Sequence, residues 1–153
     1  MKEFDYDLDY ENIDFSKPEN RRLYRIGRGE QGVLLCKPYT NDICQHWRFR
    51  TADIAVKSSN KIYAMYLDYR DNKDFIGMDM CRKFLEMGFT RARRYANHHS
   101  GQKYDSCGKI KPQEDDWDTC EYAESARIFK KVRDLATYND TYQKMRKNWR
   151  SSE

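Results

Sequence analysis

The chain has 153 residues, with 29 Lys and Arg against 25 Asp and Glu, a formal charge of +4, and a mean hydropathy of −1.10. Leu, Ile, Val and Phe number only 25, but net charge is low and 21 Tyr, Trp and Met supply large side chains for an aromatic-rich core, which excludes a disordered chain. The length suits one domain, no run reaches the roughly 18 apolar residues of a membrane span, and 5 Cys after an N-terminus without an apolar leader point to reduced thiols in the cytoplasm.

Charge is unevenly placed. Residues 1–20 hold Glu3, Asp5, Asp7, Asp9, Glu11, Asp14 and Glu19 against Lys2 and Lys17, a net −5, which leaves +9 for the rest. A basic body attracts polyanions, and the acidic leader is positioned to cover part of it. Within the leader Phe4, Tyr6, Leu8 and Tyr10 alternate with acids, the period-2 pattern of an extended strand or arm with one apolar face. The Asp5, Asp7, Asp9 spacing resembles the opening of an EF-hand loop, but Tyr10 and Ser16 stand where that loop needs Gly and Glu.

Pro18 and Asn20 mark a turn. Leu23–Ile26, the glycines Gly27 to Gly32, and Val33–Cys36, stopped by Pro38, read as a short β-hairpin, and Trp47–Arg50 as one more short strand. Gly27-Arg28-Gly29-Glu30-Gln31-Gly32 matches G-x-G-x-x-G, yet a dinucleotide site needs a helix after the glycines, and Val33-Leu34-Leu35 is β-like. A kinase-type loop is excluded by the length and by the lack of His-Arg-Asp and Asp-Phe-Gly. A hairpin turn with positive-φ glycines remains, whose backbone N–H groups are able to cradle a phosphate at Gly29 beside Arg28.

Thereafter the period becomes helical. From Thr51 as N-cap, Ile54, Ser58, Ile62, Met65 and Tyr69 define a helix to about residue 70. A second begins near Asp74 and buries Phe75, Cys81, Phe84 and Leu85, with Gly88 ending or bending it and Thr90 capping an arginine-rich turn. Residues 97–116 read as a loop. Tyr122, Ala126, Phe129, Val132 and Ala136 mark a third helix behind the acids Asp115, Asp116 and Asp118, and Tyr138, Tyr142, Met145 and Trp149 a fourth after Asn139-Asp140. The expected fold is mainly α (α+β): about four helices with a short N-terminal β-hairpin or small sheet. It forms a single domain over 1–153, divided into an acidic aromatic arm (1–20), short strands (21–50) and a helical body (51–150).

The strongest functional signal is Thr90-Arg91-Ala92-Arg93-Arg94-Tyr95-Ala96-Asn97-His98-His99, in a stretch (82–103) of net charge +5. On a helix Arg91, Arg94, Tyr95 and His98 share one face. Arginine grips phosphate bidentately, and tyrosine stacks on bases or packs guanidinium stems. Trp47-Arg48-Phe49-Arg50 repeats the interleaving. The candidate phosphate-binding residues are therefore Arg91, Arg93, Arg94, Tyr95, His98, Arg48, Arg50, Arg28 and Gly29, and the expected partner is nucleic acid or a phosphorylated ligand. The alternatives are a small enzyme acting on a phosphorylated substrate and an interaction protein whose arginines are internal ties. No metal or cofactor is expected, because His46, His98, His99 and the five Cys show no Cys-x-x-Cys or His-x-x-x-His pair. No catalytic residue is assigned, and the reading leans away from an enzyme.

The segments Phe4-Asp5-Tyr6-Asp7-Leu8-Asp9-Tyr10, Gly29-Glu30-Gln31-Gly32-Val33-Leu34-Leu35, His46-Trp47-Arg48-Phe49-Arg50 and Gly88 to His98 closely resemble domain of unknown function 4385, a family of small uncharacterised proteins of microbes and their viruses. The resemblance covers essentially the whole chain. It implies a variable loop over residues 100–116 and a usually basic residue at the position of His99, and it brings no activity, cofactor or catalytic residue.

Overall fold

The computed structural model describes residues 2–153. Two 3-10 turns, Tyr10–Asn12 and Pro18–Leu23, precede five α-helices: α1 (Tyr39–Cys44), α2 (Ala52–Asp71), α3 (Phe75–Asn97), α4 (Glu121–Thr137) and α5 (Asp140–Ser152).

Three of the long helices start at side-chain caps visible in the sequence. Thr51 accepts from the Ile54 amide (3.2 Å), Asp74 from Gly77 (3.1 Å) and Asn139 from Tyr142 (3.0 Å). Each cap satisfies an amide that the helix itself leaves unpaired. Asp74 does more, since its carboxylate also takes Arg21 and the Tyr39 hydroxyl, both at 2.6 Å, and so ties the second 3-10 turn and α1 to the start of α3.

α3 is the central element, packed by α1, α2, α4 and α5. From Phe75 to Leu85 every residue except Arg82 is buried, the signature of a helix enclosed on all sides. Beyond that it becomes one-sided, with Met87, Gly88, Ala92 and Ala96 buried. The Phe129 ring of α4 occupies the place a Cβ at Gly88 would need, and small residues Ala92, Ala96, Ala123 and Ala126 line the same half of the core. Gly88 therefore neither ends nor bends the helix; it admits α4. Thr90 lies inside α3, donating to Glu30 (2.9 Å).

Among the described residues there is no strand, and the only β pairing is an isolated bridge between Tyr104 and Ile110. The expected hairpin or small sheet is thus overturned, for a physical reason. In Leu23–Ile26 the alternation is one of burial: Tyr24 and Ile26 point into the core at 1% exposure. Yet the backbone acceptors are met by side chains rather than by a neighbouring strand. Trp149 donates to the Tyr24 carbonyl (3.2 Å), Lys83 to Arg25 (3.3 Å) and Arg150 to Gly27 (2.9 Å). Val33–Cys36 is a run of turns, with Val33 donating to Glu30 and Leu35 to Gly32. Trp47–Arg50 is no strand either; the Arg48 amide bonds the Ser58 hydroxyl (2.9 Å) and the Trp47 indole the Phe84 carbonyl (3.0 Å).

The core is aromatic, as the composition implies. Phe4, Tyr10, Phe15, Tyr24, Trp149, Phe75 and Tyr142 follow one another at ring separations of 5.2–6.3 Å, which fastens the N-terminal arm to α5. No helix among the described residues is long and apolar enough to cross a membrane, and all five cysteines are free thiols.

Candidate functional site

α3 carries two groups of cations, and their surroundings differ. In its first half, Asp79, Arg82 and Lys83 stand at i, i+3 and i+4 and share a face. Asp79 has no solvent exposure; Arg82 Nε donates to Oδ1 at 2.9 Å and Tyr142 to the same oxygen at 2.6 Å, while Tyr24 donates to Oδ2. Lys83 Nζ lies 3.7 Å from Oδ2, donates to the Gln31 carbonyl at 2.7 Å, and sits over the rings of Tyr24 (4.7 Å) and Phe4 (5.7 Å).

Burial raises the Asp79 pKa, but the charges of Arg82 and Lys83 and the two tyrosine hydroxyls overcome it and hold the carboxyl at about 2. One carboxylate facing two cations leaves a buried net positive charge. Lysine yields to it, because guanidinium does not deprotonate: burial lowers Lys83 to about 8, with Asp79 pulling it back up. Burial likewise pushes the neighbouring Cys36 thiol to about 11. Lys83 and Arg82 grip the glycine-rich segment by its carbonyls, Arg82 reaching Gly29 at 3.1 Å. The clefts lined by Arg25, by Gln31 or by His98 do not include Asp79 or Lys83. This cluster therefore holds the segment to the core. Sequence reasoning passed over it, although three charges at helical spacing inside an otherwise apolar run, Phe75 to Leu85, were the available signal.

The second half of α3 carries the residues singled out by sequence. Arg91 and Arg94 are exposed and pair with no carboxylate among the described residues. Arg93 is half-buried, donating to the Trp117 carbonyl with its guanidinium 5.5 Å from that ring. Tyr95 is half-buried, 5.6 Å from Phe49 and 5.2 Å from Tyr122. His98 is buried at 7% exposure, with no partner for Nδ1.

Phe49 brings its neighbours Arg48 and Arg50 to the Tyr95 turn. Both are exposed; Arg48 donates to the Trp47 (2.6 Å) and Cys44 (3.3 Å) carbonyls, and Arg50 has no partner among the described residues. The glycine-rich turn reaches Thr90 through Glu30. There Arg28 and Gly29 are exposed, but the Arg28 amide bonds Gln31 Oε1 (2.7 Å) and the Gly29 carbonyl bonds Arg82. Asp5, Asp7 and Asp9 of the arm form no ion pair with Arg91, Arg93 or Arg94.

A separate cleft of about 270 Å³ is lined by Arg21, Arg22, Arg25 and Trp149 with Pro18, Ser152 and Glu153. The side chains placed to hold a metal are His99, Asp116 and Cys120, whose donor atoms lie within 4.8 Å of one another.

Comparison with known proteins gives one match. A family model described as Domain of unknown function (DUF4385) matches residues 5–152. No curated protein and no solved structure matches.

Proposed function

The chain belongs to the family described as Domain of unknown function (DUF4385), and from the surface around the end of α3 we propose that it is a non-enzymatic protein that binds nucleic acid. One observation carries the reading. Arg48, Arg50, Arg91 and Arg94 are all exposed, none is paired with a carboxylate among the described residues, and each stands within four residues of Phe49 or Tyr95, whose rings are 5.6 Å apart.

Several arginines elsewhere are paired, Arg21 by Asp74, Arg82 by Asp79, Arg127 by Asp118 and Glu124, Arg133 by Glu86 and Asp134, whereas Arg22, Arg25, Arg28 and Arg146 have no carboxylate partner among the described residues. Unpaired, exposed guanidinium groups displace the counterions of a phosphate backbone and give affinity without base reading. The buried position of the perturbed pair, Asp79 and Lys83, supports a non-enzymatic role, since a group that meets no solvent meets no substrate.

The test is fluorescence anisotropy with labelled single-stranded DNA, duplex DNA and RNA, comparing the wild type with Arg48→Ala/Arg50→Ala/Arg91→Ala/Arg94→Ala. Binding that is steep in salt and abolished in a variant with unchanged circular dichroism is expected. Equal binding by the folded variant sinks the reading.

A second reading rests on the arginine cleft. Arg22 and Arg25 have no carboxylate partner among the described residues, and Trp149 walls the same 270 Å³. That chemistry suits a small phosphorylated ligand. Pyrophosphate raising the melting temperature of the wild type but not of Arg22→Ala/Arg25→Ala is its signature.

A further inference from the structure

The loop between α3 and α4 has little regular structure, yet its two ends meet. The Glu114 amide donates to the Asn97 carbonyl at 2.8 Å and Gln113 to the Asn97 side chain at 3.1 Å, fixing the returning chain against the end of α3. The Asp116 carbonyl accepts from the amides of Thr119 and Cys120, both at 3.0 Å, a turn that sets Cys120 at the N-cap of α4. Three chemically different donors converge there: His99 from the start of the loop, and Asp116 and Cys120 from its end, mutually within 4.8 Å.

The imidazole is already oriented. Its Nε2 lies 2.9 Å from Asp116 Oδ1, and its Nδ1 lies 3.3 Å from Glu114 Oε2. A carboxylate within reach of one ring nitrogen, with the other nitrogen facing the donors, is the placement from which an outer-shell contact aims histidine at a metal.

From this geometry we propose a metal site made by His99, Asp116 and Cys120, oriented by Glu114, that takes a borderline divalent ion of the zinc class. Mixed nitrogen, oxygen and sulfur donors exclude magnesium and calcium as preferred ions, since those want oxygen throughout. Three protein ligands leave one tetrahedral position, and the partial exposure of His99 and Asp116 opens it to solvent. A bound ion closes the loop by joining residues 99, 116 and 120. Because the donors sit in and beside the loop, the site is a property of this chain's loop rather than of its helices. The pattern of residues that spacing rules seek is absent, as His99 and Asp116 come from opposite ends of the loop.

The test is a Co²⁺ titration of the full-length, reduced protein followed by absorbance, with Zn²⁺ as competitor. Saturation near one equivalent is expected, with visible bands of a four-coordinate ion and a thiolate-to-cobalt band, all bleached by Zn²⁺. Cys120→Ser loses the thiolate band while Cys107→Ser, which alters an exposed cysteine, keeps it. Glu114→Gln weakens binding by about 10-fold or more, as outer-shell changes do. His99→Gln abolishes saturation and serves as the second probe if Cys120→Ser lacks the wild-type circular dichroism. No saturable spectrum, or a thiolate band that survives in folded Cys120→Ser, overturns the site.

Discussion

In the first half of α3, Arg82 and Lys83 are enclosed by Asp79, two tyrosines and the carbonyls of Arg25, Gly29 and Gln31; in the second half, Arg91 and Arg94 meet solvent and no carboxylate. One helix thus carries cations in two opposite conditions. The difference lies in what packs around them. In the first half Gly77 meets Tyr69 of α2 and Phe75 meets Tyr142 and Trp149 of α5, whereas in the second half Gly88 meets Phe129 of α4 and only Ala92 and Ala96 stay buried beyond it in the helix. A buried cation must be answered within the fold, and an exposed one is available to a partner.

The contrast between the two halves breaks most visibly at Asp79. Asp79→Asn leaves buried Lys83 and the largely enclosed Arg82 without their counter-charge, and the expected loss is about 3–5 kcal/mol in denaturant unfolding, the range for removing one member of a buried pair. Acid gives the same answer in the wild type. The folded carboxyl titrates at about 2 against 3.8 unfolded, so its contribution is complete above the unfolded value and disappears as pH falls from about 4 toward 2. The stability gap between wild type and Asp79→Asn therefore narrows across that window.

Gly88 marks the boundary between the two halves and gives the next largest effect. Gly88→Ala improves intrinsic helix propensity by up to about 1 kcal/mol, but its Cβ runs into Phe129, and overpacking of about 1–3 kcal/mol outweighs the gain. A net fall in melting temperature checks this. Lys83 supplies a subtler readout. Its folded pKa of about 8 lies below the unfolded 10.5, so between these values the unfolded chain binds more protons and wild-type stability rises with pH. Lys83→Met lacks that rise, which paired unfolding series from pH 8 to 10.5 will display.

The long helices were legible in the sequence because their signals are local. Thr51, Asp74 and Asn139 sit at the caps, and the apolar spacing behind each is helical. The N-terminal third was misread as β because an alternating pattern reports which side chains are buried, and the partners of the backbone are a separate matter. Here those partners, Lys83, Trp149 and Arg150, come from helices 58 to 125 residues away. The arginine-rich run was visible as charge. Its division into an engaged Arg93 and exposed Arg91 and Arg94 depends on Trp117, which the loop brings back from 24 residues downstream. His99, Asp116 and Cys120 were each present in the sequence, but their meeting depends on the same loop.

The smallest expected effect on stability is also the most telling. Arg91→Ala/Arg94→Ala removes two exposed groups, so unfolding free energy shifts by no more than about 0.5 kcal/mol per site. The decisive measurement is the slope of log affinity for a labelled DNA duplex against log salt, for the wild type and this double variant. A nucleic-acid surface at the end of α3 predicts a steep wild-type slope that falls by about 0.9 for each phosphate the variant no longer neutralises. A flat wild-type slope, or a slope unchanged in the folded variant, would contradict it.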